Sequence, residues 1–338
     1  MDRLRVAVIM GGRSSEHEIS LASARSVVEG LDPERYEVRP IEIGRDGRWA
    51  LPKARQEELG SGDAPLPVPL NGQPEPLGDI DVVFPVLHGP FGEDGTVQGF
   101  LELAGVAYVG AGVAASALCM DKDLFKAVMR DKGIPVVDSI TLLERHRERV
   151  ENPFGYPVVV KPARLGSSVG ISMVRSHEEL GPAVDLAFEH DEKVLLEKHV
   201  KGVEVECSVL GNEEPIASLP GEIVPLVSDW YDFKAKYEEG GMDLIVPPRL
   251  DQGTIARVQE LAVAAFVASD CEGMARVDFF VDEDGGVLVN ELNTIPGFTA
   301  TSVYAKLFEA SGIPYGELLD RLVQLALDRR DRRVRLKY

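Results

Sequence analysis

The residues best equipped for chemistry lie late in the chain, in Arg276-Val277-Asp278-Phe279-Phe280-Val281-Asp282-Glu283-Asp284-Gly285-Gly286-Val287-Leu288-Val289-Asn290-Glu291-Leu292-Asn293. Asp284-Gly285 is a favoured two-residue hairpin turn. Pairing Glu283 with Gly286 sets Asp278 opposite Glu291 and Arg276 opposite Asn293. Period-two alternation then places all four side chains on one face. Two facing carboxylates repel unless something positive lies between them. Oxygen-only ligands with an amide beside them describe a Mg²⁺ site that shares its ions with phosphates. The alternative is a solvent-facing sheet surface with salt links to Arg276, and a one-residue slip would separate Asp278 from Glu291.

A second segment, Val159-Val160-Lys161-Pro162-Ala163-Arg164-Leu165-Gly166-Ser167-Ser168-Val169-Gly170, delivers a lysine and an arginine from a β-branched strand into a Gly/Ser loop. Backbone N–H groups, the Ser167 and Ser168 hydroxyls and a fixed cation suit a polyphosphate. It is not GxxxxGK[ST], and a strand rather than a helix follows. Read alone, it equally describes an ordinary hairpin with an exposed lysine. Gly11-Gly12-Arg13-Ser14-Ser15-Glu16 follows the first strand and opens a helix, where α/β sheets place ligands. Glu16 could hold an ammonium group there, or simply favour a first helical turn. His88-Gly89-Pro90-Phe91-Gly92-Glu93-Asp94-Gly95 ends another such strand. In Thr294-Ile295-Pro296-Gly297-Phe298-Thr299-Ala300-Thr301-Ser302, Ser302 can cap the next helix, or that N-terminus can bind a carboxylate. Gly110-Ala111-Gly112-Val113-Ala114-Ala115 fits GxGxx(G/A), yet no acidic residue completes a dinucleotide site roughly 20 residues on.

The elements that must hold these residues are legible too. Up to about residue 115, apolar runs (Val6–Met10, Val38–Ile43, Val82–Leu87, Ala107–Val109) alternate with helical patterns (Ile19–Leu31, Thr96–Ala104), predicting α/β with a mainly parallel sheet. Residues 52–76, rich in proline, read as a surface excursion. Asp121 caps a helix running to Lys132. Strands are expected at Val136–Leu142, Pro157–Lys161, Ile171–Val174, Lys193–His199 and Val203–Val209, an irregular polar segment at 226–248, a helix from Asp251 to Ser269, two strands and two closing helices. Leu103–Met120 carries no charge, but its Ala, Gly and Ser content reads as strand, turn and helix start rather than a membrane span. The net charge of −20 excludes a general polyanion binder, and nucleic acid is not an expected partner. The basic tail Asp328–Tyr338 reads as a solvated helix end. Cys119, Cys207 and Cys271 read as reduced, buried thiols. With no export signal evident, the expectation is a cytoplasmic protein.

In this order, the segments resemble the D-alanine–D-alanine ligases of the ATP-grasp superfamily. The matching residues are Gly11-Gly12 through Ser20, Leu87-His88-Gly89 through Thr96, Met120-Asp121-Lys122, Val160-Lys161-Pro162 through Gly170, Arg276-Val277-Asp278, and Asn290-Glu291-Leu292-Asn293-Thr294 through Gly297. The resemblance implies an α/β and α+β chain: a Rossmann-like domain (1–115), a central ATP-grasp lobe (116–204) and a C-terminal ATP-grasp lobe (205–338) with a mobile loop at 226–248. It implies ATP, two Mg²⁺ or Mn²⁺ ions and a monovalent cation as cofactors, D-alanine as substrate, and a homodimer. By the same resemblance, Lys122, Lys161, Ser168 and Lys236 meet the phosphates, Glu197, Lys198 and Val200 the adenine, and Glu204 the ribose. Asp278, Glu291 and Asn293 match the metal ligands. Glu16, linked through Ser167 to Tyr237, holds the first D-alanine's ammonium. Arg276 and the Gly297 N–H stabilise the oxyanion, and His88, Ser302 and Val303 border the substrates.

Ala235-Lys236-Tyr237 favours an amine over a hydroxy acid, since the related D-alanine–D-lactate ligases lack this tyrosine. Val303 and Ala305 stand where many members have leucine and proline, which bears on the size of the second pocket. The competing readings are another ATP-grasp ligase such as a depsipeptide ligase, a nucleotide-binding regulator without turnover, and a dehydrogenase built on Gly110–Ala115.

Overall fold

Val6, Ala7, Val8 and Ile9 have no exposed surface, because the first strand is covered on both faces. The computed structural model describes residues 3–50, 79–166, 169–226 and 241–337. Strand β1 (Leu4–Gly11) pairs in parallel with β2 (Tyr36–Ile43) and with β4 (Val82–Pro85). β5 (Ala107–Tyr108) continues the sheet beside β4, and β3 (Trp49–Ala50) closes the far edge antiparallel to β2. Helices α1 (His17–Gly30) and α2 (Thr96–Leu103) lie between strands in the chain. From β1 the chain moves to β2 on one side and returns to β4 on the other. The carboxyl ends of β1 and β4 therefore flank a topological switch point, where such sheets open a crevice. The proline-rich stretch 52–76 falls outside the described residues.

The uncharged stretch from Leu103 to Met120 resolves into a turn, β5 and helix α3 (Val113–Met120), and no described helix is long and apolar enough to cross a membrane. Asp121 caps α4 (Lys122–Asp131), its carboxylate accepting from the N–H groups of Asp123 and Leu124. A second sheet follows, in the order β6 (Ser139–Leu143), β9 (Lys193–Lys198), β7 (Val158–Pro162), β8 (Ser172–Val174), with α5 (His177–Phe188) packed against it. Here the strand expected at Val136–Leu142 begins later. Its first residues run beside a strand of the third sheet instead: Val289 N–H donates to the Pro135 carbonyl and Val137 N–H to the Val289 carbonyl.

The third sheet has the order β13 (Met242–Ile245), β12 (Gly221–Pro225), β10 (Gly202–Gly211), β14 (Gly273–Asp282), β15 (Val287–Asn293), with β11 (Ile216–Ala217) on β10. Helix α6 (Gln252–Ala268) buries Val258, Leu261 and Phe266 against Val205, Val277 and Val289 of that sheet. β13 corrects the expectation that 226–248 is irregular throughout; its exposed Asp243 alternates with half-buried Met242 and Leu244, as suits an edge strand. Residues 227–240 fall outside the described residues.

The closing helices, α7 (Val303–Ala310) and α8 (Tyr315–Val334), return to the first sheet: Tyr304, Phe308, Leu318 and Leu322 share a core with Val6, Val8 and Phe84. The basic tail is a solvated helix end only in part: Asp328, Asp331 and residues 334–337 are exposed, but other side chains are tied down. Arg329 is buried, donating to the Tyr108 carbonyl at 2.6 Å and to the Gly110 carbonyl. Arg332 and Arg333 pair with Glu272 and Glu102. The same contacts explain the dinucleotide-like Gly110–Ala115. Gly110 adopts φ +92°, and a Cβ at Gly273 would stand 3.1 Å from its backbone, so a left-handed turn calls for glycine at 110 and close approach calls for it at 273.

Candidate active site

The β14–β15 hairpin carries the acidic face in the expected register, but through a different turn. Arg276 pairs with Asn293 and Asp278 with Glu291, whereas Phe279 pairs with Val289 and Val281 with Val287. The turn is one residue longer than expected: Asp282 N–H donates to the Gly286 carbonyl, and Gly285 adopts φ +82°. A bulge at Asn290 restores the register. It also turns two successive residues, Asn290 and Glu291, toward the same cavity. Val277, Phe279, Val281, Val289 and Leu292 form the buried opposite face.

Arg276 neutralises this face. Its Nε and Nη2 donate to the two oxygens of Asp278, each at 2.7 Å. Glu206 of β10 lies opposite Asp278 in the sheet, its Oε2 2.9 Å from Arg276 Nε. Glu291 Oε2 stands 3.3 Å from Lys122 Nζ. Two carboxylates and an amide oxygen at adjacent register positions suit a hard divalent cation whose other ligands come from phosphate. Among the described residues, no group of three or more His, Cys, Asp or Glu side chains is placed to hold a metal ion on its own.

Two lysines enter from the central sheet. Lys122, first residue of α4, donates to the Leu165 carbonyl at 2.8 Å, and its N–H bonds the Ala163 carbonyl, tying helix start to loop. Lys161, at the end of β7, reaches Asn290 Oδ1 at 3.2 Å and Glu197 Oε2 at 2.6 Å. Burial, the largest influence on Glu197, would raise its pKa, but Lys126 and Lys161 together hold it below the usual carboxylate value. The Glu197 side chain is thus committed to lysines. The loop after β7 is clasped by Arg164, whose N–H and guanidinium both bond the Asp191 carboxylate.

At the switch point of the first sheet, the loops after β1 and β4 meet. Ser14 donates its hydroxyl hydrogen to the His88 carbonyl at 2.7 Å, and a Cβ at Gly89 would stand 2.7 Å from Glu16 Oε2. His88 Nδ1 contacts the Ile295 carbonyl at 3.0 Å and Glu93 Oε1 at 3.6 Å. Burial pushes the Glu93 carboxyl up to about 7, with Glu16 adding to the rise and His88 opposing it. Burial alone would lower His88; Glu93 and Glu16 reverse that, and its pKa is raised.

The N-terminus of α7 completes the enclosure. Ser302 sits at the N-cap position without capping: its hydroxyl oxygen accepts from the Thr299 N–H at 3.0 Å and contacts the Thr299 hydroxyl at 2.7 Å. The capping reading of Ser302 is therefore not met, and its side chain satisfies none of the N–H groups of the first turn of α7.

These groups line two cavities. One, of about 390 Å³, is lined by Glu16, His88, Arg276, Asn293, Gly297, Ser302 and Val303. The other, of about 470 Å³, is lined by Lys161, Glu197, Lys198, Val200, Glu204 and Asp278. Lys122, Gly166 and Glu291 belong to both walls. Ser167, Ser168, Lys236 and Tyr237 lie outside the described residues. Sequence reasoning missed Glu206, Asn290, Lys126 and the buried Glu222, which pairs with the exposed Arg249. Glu204 and Glu206, alternating in an otherwise apolar strand, were the available signal for the first; the bulge that exposes Asn290 has no local one.

Known proteins match this chain along its length. Residues 5–111 match the family model described as D-ala D-ala ligase N-terminus, and residues 128–324 match the D-ala D-ala ligase C-terminus. The D-alanine--D-alanine ligase of Caldicellulosiruptor bescii is 44% identical over 361 residues, covering 100% of this chain and 99% of the relative. Among solved structures, the D-alanine-D-alanine ligase from Coxiella burnetii superposes with a TM-score of 0.84 at 39% identity, covering 99% of this chain and 97% of that one. The VanG D-Ala:D-Ser ligase from Enterococcus faecalis gives 0.84 at 38% identity, covering 96% and 100%. The D-alanine--D-alanine ligase from Bacillus anthracis, complexed with ATP, gives 0.77 at 31% identity, covering 98% and 99%. Matched in both halves and similar from end to end, the chain belongs to the D-alanine–D-alanine ligase family and has its ATP-grasp fold.

Proposed function

We propose that this chain joins two D-alanine molecules into D-alanyl-D-alanine at the expense of ATP, a step that feeds peptidoglycan synthesis. The observation that carries the reading is the wall shared by the two cavities, formed by Lys122, Gly166 and Glu291. ATP enters the larger cavity, with its adenine against the backbone of Glu197, Lys198 and Val200 and its ribose at Glu204. Its γ-phosphate then meets the carboxylate of a first D-alanine at the shared wall.

That carboxylate attacks the γ-phosphorus, the bond to the β-phosphate oxygen breaks, and ADP leaves an acyl phosphate. Lys122 and Lys161 screen the charge on the phosphates. Mg²⁺ bound by Asp278, Glu291 and Asn293 would supply further charge neutralisation there. Glu16 holds the first ammonium beside His88. The amine of the second D-alanine, its carboxylate at Ser302 and the α7 N-terminus, attacks the acyl carbonyl and loses a proton. Arg276 and the Gly297 N–H face the oxyanion, and phosphate departs. Val303 packs with Ile223 and Leu307 at the second pocket's edge. Ser167, Ser168, Lys236 and Tyr237 take part by family resemblance, Tyr237 favouring an amine nucleophile. The division into units 1–115, 116–204 and 205–338, the closing loop at 226–248, a monovalent cation, the homodimer and the cytoplasmic location belong to the same proposal. D-lactate as second substrate is not favoured.

The test is product analysis by mass spectrometry with ATP, Mg²⁺ and D-alanine, with and without D-lactate. The dipeptide is the expected dominant product in both. A mixed depsipeptide as main product, or no ATP consumption, overturns the reading.

A further inference from the structure

Lys126 follows Lys122 by one turn of α4 and has no exposed surface. Its Nζ stands 2.7 Å from Glu197 Oε1, while Lys161 Nζ stands 2.6 Å from the other oxygen of the same carboxylate. Lys161 and Glu197 line the larger cavity. A single carboxylate thus lies between two ammonium groups, one of which lines the larger cavity. A buried Glu197 facing Lys161 alone would form a neutral pair and cancel the charge that a phosphate needs.

We propose that Lys126 is a positioning residue for nucleotide binding: by occupying one oxygen of Glu197 it keeps that carboxylate from neutralising Lys161. The inference rests on the reading of this cavity as the ATP site. The cluster carries one positive charge in excess while all three groups are ionised. Burial pushes Lys126 down to about 8 against the pull of Glu197, with Lys161 on β7 and Arg130 on its own helix lowering it further. Those are the charged groups that face it; the Val137 carbonyl accepts from it at 3.4 Å. The excess charge is therefore lost as pH rises through that value.

Calorimetric titration of the full chain with a non-hydrolysable ATP analogue and Mg²⁺ tests this, alongside melting temperatures. Lys126→Met is expected to weaken binding about tenfold or more. Lys126→Met with Glu197→Gln removes both the cation and the carboxylate, leaves Lys161 charged, and is expected to recover most of the affinity. Lost packing alone would not be repaired that way. The parent's affinity is expected to fall above about pH 8, and the double variant's to lose that dependence. Parent-like binding by Lys126→Met, a double variant as weak as the single, or an alkaline fall retained in the double overturns the inference. Should the single variant not fold, weak binding by the double alone overturns it. A parent protein that binds no analogue overturns the reading of the cavity itself.

Discussion

Asp278 and Arg276 show how little separates a salt link from a catalytic arrangement. Both oxygens of Asp278 accept from Arg276, and Glu206 stands against the same guanidinium. In the proposed reaction Arg276 keeps Glu206 as a partner when Asp278 turns to a cation, leaving the rest of the guanidinium for the oxyanion. Asp278→Asn preserves volume and one acceptor oxygen while removing the charge. It is expected to lower kcat by about 100-fold or more and to move the melting temperature little. Parallel kinetics and calorimetry check this, and an equal loss of stability and turnover would make the carboxylate structural.

Elements decide where such residues meet. Gly89 adopts φ +72° in the loop after β4, and a side chain there would press on Glu16. Gly89→Ala is expected to raise the KM for the first D-alanine about tenfold, with the KM for ATP changed far less. Steady-state kinetics with each substrate varied will separate the two. The loop after β7 depends on Asp191. Burial would raise this carboxyl, but Arg164 and the N–H groups of Lys193 and Arg164 outweigh burial and hold its pKa below the ordinary 3.8. The folded value is the lower one, so its contribution to stability is complete above about pH 4 and is lost as pH falls through the folded value. Asp191→Asn is expected to lower stability at pH 7 and to flatten the acid limb of a stability–pH curve, measured by denaturant unfolding. An acid limb unchanged by the substitution counts against the clasp.

At the scale of the molecule, the last helix locks the chain's end to its beginning. Arg329 satisfies the carbonyls of Tyr108 and Gly110, its guanidinium carbon 4.2 Å from the Tyr108 ring centroid. Arg329→Met leaves both carbonyls buried without that donor, a cost of about 2–4 kcal/mol. The expected result is a lower denaturant midpoint with an unchanged slope. A midpoint unmoved would mean that water or a neighbour replaces the guanidinium.

What the chain determines locally was readable from it. Strand periodicity, the turn glycines and the Asp121 cap depend on residues close in sequence, so the parallel first sheet and the pairing of Asp278 with Glu291 could be derived before any coordinates. The longer turn at Asp282 and the bulge at Asn290 cancel each other, so the predicted pairing holds although the predicted turn does not. Only the tertiary structure brought Glu206 against Arg276, Lys126 against Glu197 and Arg329 against Gly110. These are contacts between elements distant in the chain, and their energy comes from burial, which sets the strength and cost of a charge but leaves no periodic mark in the sequence.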